Sequence, residues 1–323
     1  MSPLEKRKKN KQVNYNRWGY RFIAPFLLIY ILFSLIPLIS TFYYSFFEYY
    51  YAQGGFIKVG PNFFGLNNYM NVFKEGIFFE YLGNTIIIWL MGFIPQIILS
   101  LLLALWFTNT RLKIKGQGFF KTIIYMPNLV MAAAFSMLFL QLFSNSGALT
   151  TLLIDGKIIP ESFSFIDRVW PTRGLIALMN FIMWFGNTTI LLMAGIMGID
   201  DTLIESAQVD GANSFQIFFK VILPLLKPIL LFVMVTSLVG GVQMFDIPQI
   251  FTRNTGGPLS SSKTVMMYIQ GLVNPSKQYG KAGAVSVLLF LLTSAVSLTF
   301  FFIMNREQLA EHREEKRQRR LQK

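Results

Sequence analysis

Residues 85–107 read TIIIWLMGFIPQIILSLLLALWF, with no charged side chain. At about 1.5 Å of rise per residue, a helix of that length exceeds the ~30 Å hydrocarbon core of a bilayer. Five further stretches have the same character: 22–44, 120–143, 175–198, 225–251 and 283–304. Together they predict an all-α membrane protein with six transmembrane helices. Pro25, Pro37, Pro95, Pro127, Pro228 and Pro248 lie within these stretches. A helix bundle in lipid accommodates such prolines, because neighbouring groups and local readjustment satisfy the freed carbonyls.

The whole chain agrees with that reading. Hydrophobic residues make up 53% and charged residues only 14%, against about 25% charged in a typical soluble domain. Mean hydropathy is +0.48. The first stretch is not expected to be a cleaved signal: it is long, and Tyr43, Tyr44, Tyr49, Tyr50 and Tyr51 follow it instead of a small-residue cleavage site. Those tyrosines fit an interfacial aromatic belt or packing within an outer loop equally well.

The net charge of +13 is not a nucleic-acid footprint, since no basic stripe crosses a folded domain. Most of the 29 lysines and arginines lie before the first span, around the second-to-third and fourth-to-fifth connections, or after the last span. The remainder are Lys58, Lys74, Lys157, Arg168, Arg173, Arg253, Lys263, Lys277 and Lys281. Positive charge concentrates on the cytoplasmic side, so both termini and the 199–224 connection are expected there. The expected organisation is a basic segment at 1–21, a transmembrane domain at 22–304 and a basic tail at 305–323.

Catalysis has little to work with. The chain has no cysteine and a single histidine, His312, in the charged tail. Thiol chemistry, histidine bases and histidine-ligated metals are thereby excluded or nearly so, which argues against an enzyme. Residues 257–264, GPLSSSKT, approach a phosphate-binding loop, but Ser262 occupies the position of the required second glycine. No cofactor or metal site is expected.

The connection at 199–224 reads IDDTLIESAQVDGANSFQIFFKVILP. Thr202 is placed to N-cap a short helix with Glu205 three residues on. Gly211 suits a helix end. Ser214 can open a second helix, in which Phe215, Phe218, Phe219 and Ile222 recur at helical spacing. Patterning alone describes an ordinary helical hairpin. Its residues go further: Glu205, Ser206, Ala207, Asp210, Gly211, Ala212, Phe215, Ile222, Leu223 and Pro224, with Pro228 beyond, closely resemble the EAA motif of permease subunits of binding-protein-dependent ABC importers. Ser206 stands where that family usually carries alanine.

Other phrases extend the resemblance across most of the chain. They are 64–69 (FGLNNY), Asn84-Thr85, Tyr125-Met126-Pro127, Phe245-Asp246, 255–258 (TGGP) and 279–284 (YGKAGA). They are similar to carbohydrate-type permeases, closest to the first of the two paralogous permeases of sugar and glycerol-phosphate importers.

The resemblance implies a type I importer permease fold in a bacterial cell membrane. It also implies a second permease subunit, an ATPase dimer that binds the ATP, and an extracellular or periplasmic binding protein. The 199–224 loop would couple the chain to the ATPase. An oligosaccharide is the expected solute, with glycerol-phosphate-like or other polyol solutes as the alternative. Substrate-pathway candidates are Asn180, Trp184, Asn187, Gln243 and Asp246, where amides and an aromatic face suit a sugar. Thr188, Thr236 and Ser237 are further polar groups within spans. Packing between helices explains any one of them as readily. Asp246, the one carboxylate inside a predicted span, falls about 28 Å along a helix counted from Lys227, which suits an outer gate or helix pairing as well as solute contact. Ala194 and Gly198 are expected to form a close-packing seam.

Overall fold

The computed structural model describes residues 16–109 and 115–306. The clustered N-terminal lysines, Arg111, Lys113, His312 and the basic tail lie outside the described residues. The chain begins with α1 (Asn16–Tyr30) and α2 (Ile36–Ser45), joined by a π-helical turn at Ile31–Leu35. A hairpin of β1 (Phe47–Ala52) and β2 (Ile57–Phe63) follows, then α3 (Asn67–Glu75) and the long α4 (Ile77–Thr108). Next come α5 (Gln117–Tyr125), α6 (Ala132–Phe143), α7 (Ala148–Asp155) and α8 (Val169–Met197). The 199–224 connection forms α9 (Asp201–Val209) and α10 (Ser214–Ile217), and α11 (Leu223–Leu225) leads into α12 (Lys227–Val242). The chain closes with α13 (Asp246–Phe251), α14 (Val265–Val273) and α15 (Tyr279–Met304).

Among the described residues, six helical passages are long and apolar enough to cross a membrane: Gly19–Ser45, Ile77–Thr108, Ala132–Asp155, Val169–Met197, Lys227–Phe251 and Tyr279–Met304. Five coincide with predicted spans to within a few residues at most ends; α4 begins eight residues before the predicted start at Thr85. The third departs most. Instead of one helix over 120–143, the chain makes α5, a 3-10 turn at Met126–Leu129 and α6. Pro127 opens that turn, and Val130 and Met131 are extended, so the helical ladder stops there. The fifth passage is likewise broken, at Gln243–Phe245 between α12 and α13.

Both π turns precede a proline, Pro37 and Pro224. Proline lacks an N–H and collides with the carbonyl four residues back; a π turn widens the ladder there and keeps the helix running.

The bundle is apolar outside and selectively polar inside. Phe22 is 84% and Phe33 76% exposed, as suits side chains facing lipid. Asn84, Thr85, Gln96, Ser100, Thr188 and Thr189 are buried. The centre is the α4–α8 pair, drawn together by Gly92, where a Cβ would sit 2.9 Å from the Ala177 carbonyl oxygen. Gln96 Nε2 donates to Thr188 Oγ1 at 2.8 Å and Ser100 Oγ to the Phe185 carbonyl at 2.9 Å. The predicted Ala194–Gly198 seam is absent: both residues are exposed, and Gly198 is the C-cap of α8. The close approaches on α8 are instead at Gly186, against the Ile124 carbonyl, and Gly195, against Leu226 and Ile229.

The β1–β2 hairpin was not predicted. Its strands pair antiparallel, Phe47 opposite Phe63 and Ala52 opposite Ile57. Tyr49 lies 5.1 Å from Tyr279 and 5.3 Å from Tyr44 between ring centroids. For these rings, packing on the start of α15 is therefore the outcome, while Tyr43 is 54% exposed.

Near the same end of the bundle a buried arginine joins three segments. Arg173 on α8 donates from Nη2 to Asn84 Oδ1 at 2.6 Å and from Nε to the Ser261 carbonyl at 2.9 Å. Asn84 on α4 donates in turn to the Ser260 and Lys263 carbonyls at 3.1 and 3.3 Å. The 254–264 segment is thereby stapled across α4 and α8.

Candidate functional site

The 199–224 connection folds as two short helices meeting at a left-handed glycine. Asp200, extended, accepts a hydrogen bond from the Thr202 amide at 3.0 Å and is the N-cap of α9. The predicted N-cap at Thr202, with Glu205 closing a capping box, does not form. The stronger acceptor sits two residues earlier, and Asp201 then lies in the first turn, where negative charge is favoured. Bonds from the Thr202 amide and then its side chain hold the Asp200 carboxyl below the usual carboxylate range.

At the other end of α9 the chain forms a Schellman motif. The Gly211 amide donates to the Gln208 carbonyl at 3.0 Å and the Ala212 amide to the Ala207 carbonyl at 2.9 Å, with Gly211 at φ +81°. Both alanines also touch the same apolar cluster, the contact that usually accompanies this cap. Asn213 and Gln216 then exchange reciprocal 2.9 Å bonds as a capping box on α10. The second helix thus opens at Ser214 as predicted, with Asn213 as its cap.

Each motif residue has a place in this knob. Ala207 and Ala212 are half-buried and Ile222 is buried, packed with Ile196, Ile217 and Leu226. Leu223 is half-buried and Pro224 exposed, directly after the π turn. Glu205, Ser206, Asp210, Gly211 and Phe215 face outward, Phe215 at 71% exposure and Val209 at 87%. The inward residues fix the knob to α8 and α12. The outward ones leave apolar surface flanked by Asp200, Asp201, Glu205 and Asp210.

A second feature lies deeper in the bundle. A cavity of about 380 Å³ opens between α4, α8 and α12, within the ~300–1,000 Å³ range of small-molecule sites. From α8 it is lined by Asn180, Trp184, Asn187 and Thr188, and from α12 by Phe232, Thr236, Ser237 and Gly241. Three of the five pathway candidates therefore meet there. Gln243 and Asp246 do not: both are exposed at the α12–α13 break, outside the lining. The helix along which Asp246 was counted stops at Val242, and Asp246 is nonetheless exposed toward the end of the fifth passage, as its distance from Lys227 predicts.

The lining also includes Trp89, Phe93 and Gln96 of α4, which sequence reasoning passed over. Gln96 was the available signal, an amide in the middle of an apolar run. Asn180 donates from Nδ2 to the Ile176 carbonyl at 2.9 Å and to Met244 Sδ at 3.3 Å. Its carbonyl oxygen and both ends of the Asn187 amide have no partner among the described residues. These groups are available to a solute.

Comparison with known proteins agrees with this architecture. Residues 96–307 match the family described as binding-protein-dependent transport system inner membrane component. The lactose transport system permease protein LacF of Rhizobium radiobacter is 30% identical over 287 residues, covering 88% of this chain and 93% of that protein. The arabinooligosaccharides transport system permease protein AraP of Bacillus subtilis is 30% identical over 284 residues, covering 86% and 87%. Among solved structures, a bacterial ABC transporter involved in import of the acidic polysaccharide alginate shares the fold. Its TM-score is 0.71 at 20% identity, covering 91% of this chain and 97% of that one. The chain is thus a transporter permease and not an enzyme, a multi-pass protein of the bacterial inner membrane, and it belongs to the family of binding-protein-dependent transport system inner membrane components.

Proposed function

We propose that this chain carries a sugar across the membrane, through a pathway that includes the α4–α8–α12 cavity, and that an ATPase partner drives it through the 199–224 knob. One observation supports the link above all: knob and cavity share a helix. The chain leaves the knob through the π turn and Pro224 and enters α12, which lines the cavity from Phe232 to Gly241. Displacement of the knob is therefore applied to a cavity wall. The curated relatives named for lactose and arabinooligosaccharides support a saccharide as the solute.

On this reading both termini and the knob are cytoplasmic, and Glu205, Asp210 and the exposed apolar residues enter a cleft of the ATPase. ATP is bound by that partner. A paralogous permease completes the pathway, and an extracellular or periplasmic binding protein delivers the solute. ATP-driven closure of the ATPases would bring the knobs together and open the pathway outward.

The absence of cysteine makes a direct test simple. Ser206→Cys places a single thiol on the exposed face of α9. It should react with an impermeant maleimide only from the cytoplasmic side of oriented vesicles, and it should cross-link to the co-expressed ATPase. Labelling from outside, or cytoplasmic labelling with no ATPase adduct, overturns the reading.

A further inference from the structure

We infer that the broken third span is the surface on which the paralogous permease docks, and that this partner supplies the hydrogen-bond acceptors the break leaves open. This rests on the transport reading above and names where its second membrane subunit joins the chain.

The break lies at the middle of the membrane. Between α5 and α6 the chain passes through the 3-10 turn at Met126–Leu129 and then runs extended at Val130 and Met131. Asn128 Nδ2 ties it to the Met183 carbonyl at 3.1 Å, and Met183 is the central residue of the membrane-crossing α8. On one side of the break α5 closes on α8 at Gly186, where a Cβ would overlap the Ile124 carbonyl. On the other, Ser136 Oγ donates to the Ile247 carbonyl of α13 at 3.0 Å. The inner side of the break is thus fully engaged.

Its outer side is open. Leu129 is 72% and Met131 73% exposed, and Met126, Val130 and Ala134 are exposed with them. These side chains suit lipid, but the backbone beneath them does not. α6 has no side-chain cap, and the amides of Met131, Ala132, Ala133 and Ala134 have no acceptor among the described residues. Irregular backbone at this depth persists only where protein covers it or where it lines a water-filled space, because lipid offers no hydrogen-bond partner.

The side chains decide between those two. A water-lined break would present polar groups, whereas this one presents methionine, leucine, valine and alanine. Nor does any residue that lines the α4–α8–α12 cavity come from α5 or α6. The cover is therefore protein. At the membrane midplane neither an ATPase nor a binding protein can provide it. Of the partners that the transport reading requires, only the paralogous permease crosses the membrane. Ala133 and Ala134 leave room for a neighbouring helix to approach closely, as small residues do between membrane helices. Met126 and Met131 can adapt to an irregular surface. The partner's contribution is a serine, threonine or asparagine oxygen, or a run of free carbonyls, set against the first turn of α6.

The test uses the assembled importer, purified with its partner subunits in nanodiscs. The photo-cross-linking residue p-benzoylphenylalanine replaces Leu129 or Met131, and adducts are identified by mass spectrometry. Both positions should cross-link chiefly to the paralogous permease. In a separate variant Met131→Cys, the only thiol of this chain, should resist a charged, water-soluble maleimide. Ala134 is exposed in this chain, so a larger side chain there acts on what packs outside. Ala134→Trp should lower recovery of the paralogous permease about tenfold, as one overpacked contact would. Ala134→Ser should stay within about twofold of the parent, since serine is nearly as small. Adducts with lipid alone, adducts with a second copy of this chain, or ready labelling of Met131→Cys overturn the inference, as does unchanged recovery with Ala134→Trp. If Ala134→Trp fails to accumulate, the photo-adducts decide. A paralogous permease that co-purifies without touching either position removes this surface and leaves the transport reading standing. Solute uptake by an importer without a second permease overturns both this surface and the partner that the transport reading calls for.

Discussion

Gly211 offers the sharpest test of how the knob is built. Its φ of +81° lies in the left-handed region, and a Cβ built there meets nothing within 4 Å. Substitution in the isolated chain therefore carries a backbone cost without a steric one. For an L-residue other than glycine that cost is about 1–2 kcal/mol, smaller for asparagine, which visits this region more readily. Opposing it are the two cap bonds from Gly211 and Ala212. With alanine the ordered knob falls by a factor of about 5–30 relative to its frayed form. A partner that docks only on the ordered knob loses affinity in proportion to the lost competent fraction.

The assay is ATPase binding to purified, nanodisc-embedded permease complex, with solute-stimulated ATP hydrolysis measured alongside. The expected order of affinity is glycine, then asparagine, then alanine, then valine, with the alanine loss bounded above by that factor. Equal impairment by asparagine and alanine, with valine no worse, refutes the backbone argument. The glycine would then be required for space inside the partner's cleft. Full affinity in Gly211→Val would remove the Schellman cap from any role in docking.

Two further outcomes follow from other parts of the molecule. Asn84→Leu leaves the Arg173 guanidinium with only the Ser261 carbonyl and the Trp170 ring and should cost about 3 kcal/mol. Arg173→Met strands only neutral acceptors and should cost about 1–3 kcal/mol. Thermal melting in detergent checks the order, and a reversed order denies that the buried charge dominates. Asp200, whose folded carboxyl titrates below its ordinary value, stabilises α9 fully above the unfolded aspartate pKa of about 3.9, and loses that contribution as pH falls through the lower folded value. Exchange protection of the Thr202 amide should therefore hold from neutral pH to about 4 and drop below it; in Asp200→Ala it should be weak throughout.

The membrane fold was legible because lipid imposes one rule on every span. Length and apolarity near Ile88, Leu101 or Leu289 were enough to place helices, and charge placement gave an expected orientation. What escaped were the breaks. Pro127 ends a helix, while Pro95 sits inside an unbroken α4. The sequence around each is similarly apolar, and the difference is tertiary: at the first break the chain turns extended, and Asn128 donates to the Met183 carbonyl of α8 at 3.1 Å. The knob was legible for the opposite reason. Its Ala207–Gly211–Ala212 spacing is a local cap, complete within a few residues. The cavity was half legible: Asn180 and Asn187 stand out as amides in an apolar helix, whereas Trp89 among isoleucines looks like any lipid-facing aromatic. Only its neighbours on another helix, Ser237 and Gly241, distinguish it.

Those neighbours also connect the two halves of the mechanism. α12 begins at Lys227 just past the knob, carries Ser237 and Gly241 against Trp89, and ends at Val242, before the break at Gln243–Phe245. Beyond the break, α13 packs on α6 and α8, Thr264 Oγ1 holds the Met244 carbonyl at 3.0 Å, and Arg173 anchors the segment that follows. One end of α12 is thus tied to the element that would meet the ATPase, and the other adjoins a stapled block with an interrupted helical ladder between. A rod attached this way would pivot at its interrupted end if its knob end were pushed. The same helix lines the cavity from Phe232 to Gly241, so on the transport reading a motion that couples to ATP would reshape the cavity wall. Cavity wall and coupling would then share one helix, and Gly241→Val, which crowds Trp89 in that wall, should disturb both together, whereas Gly211→Ala should disturb coupling while leaving the choice among solutes intact.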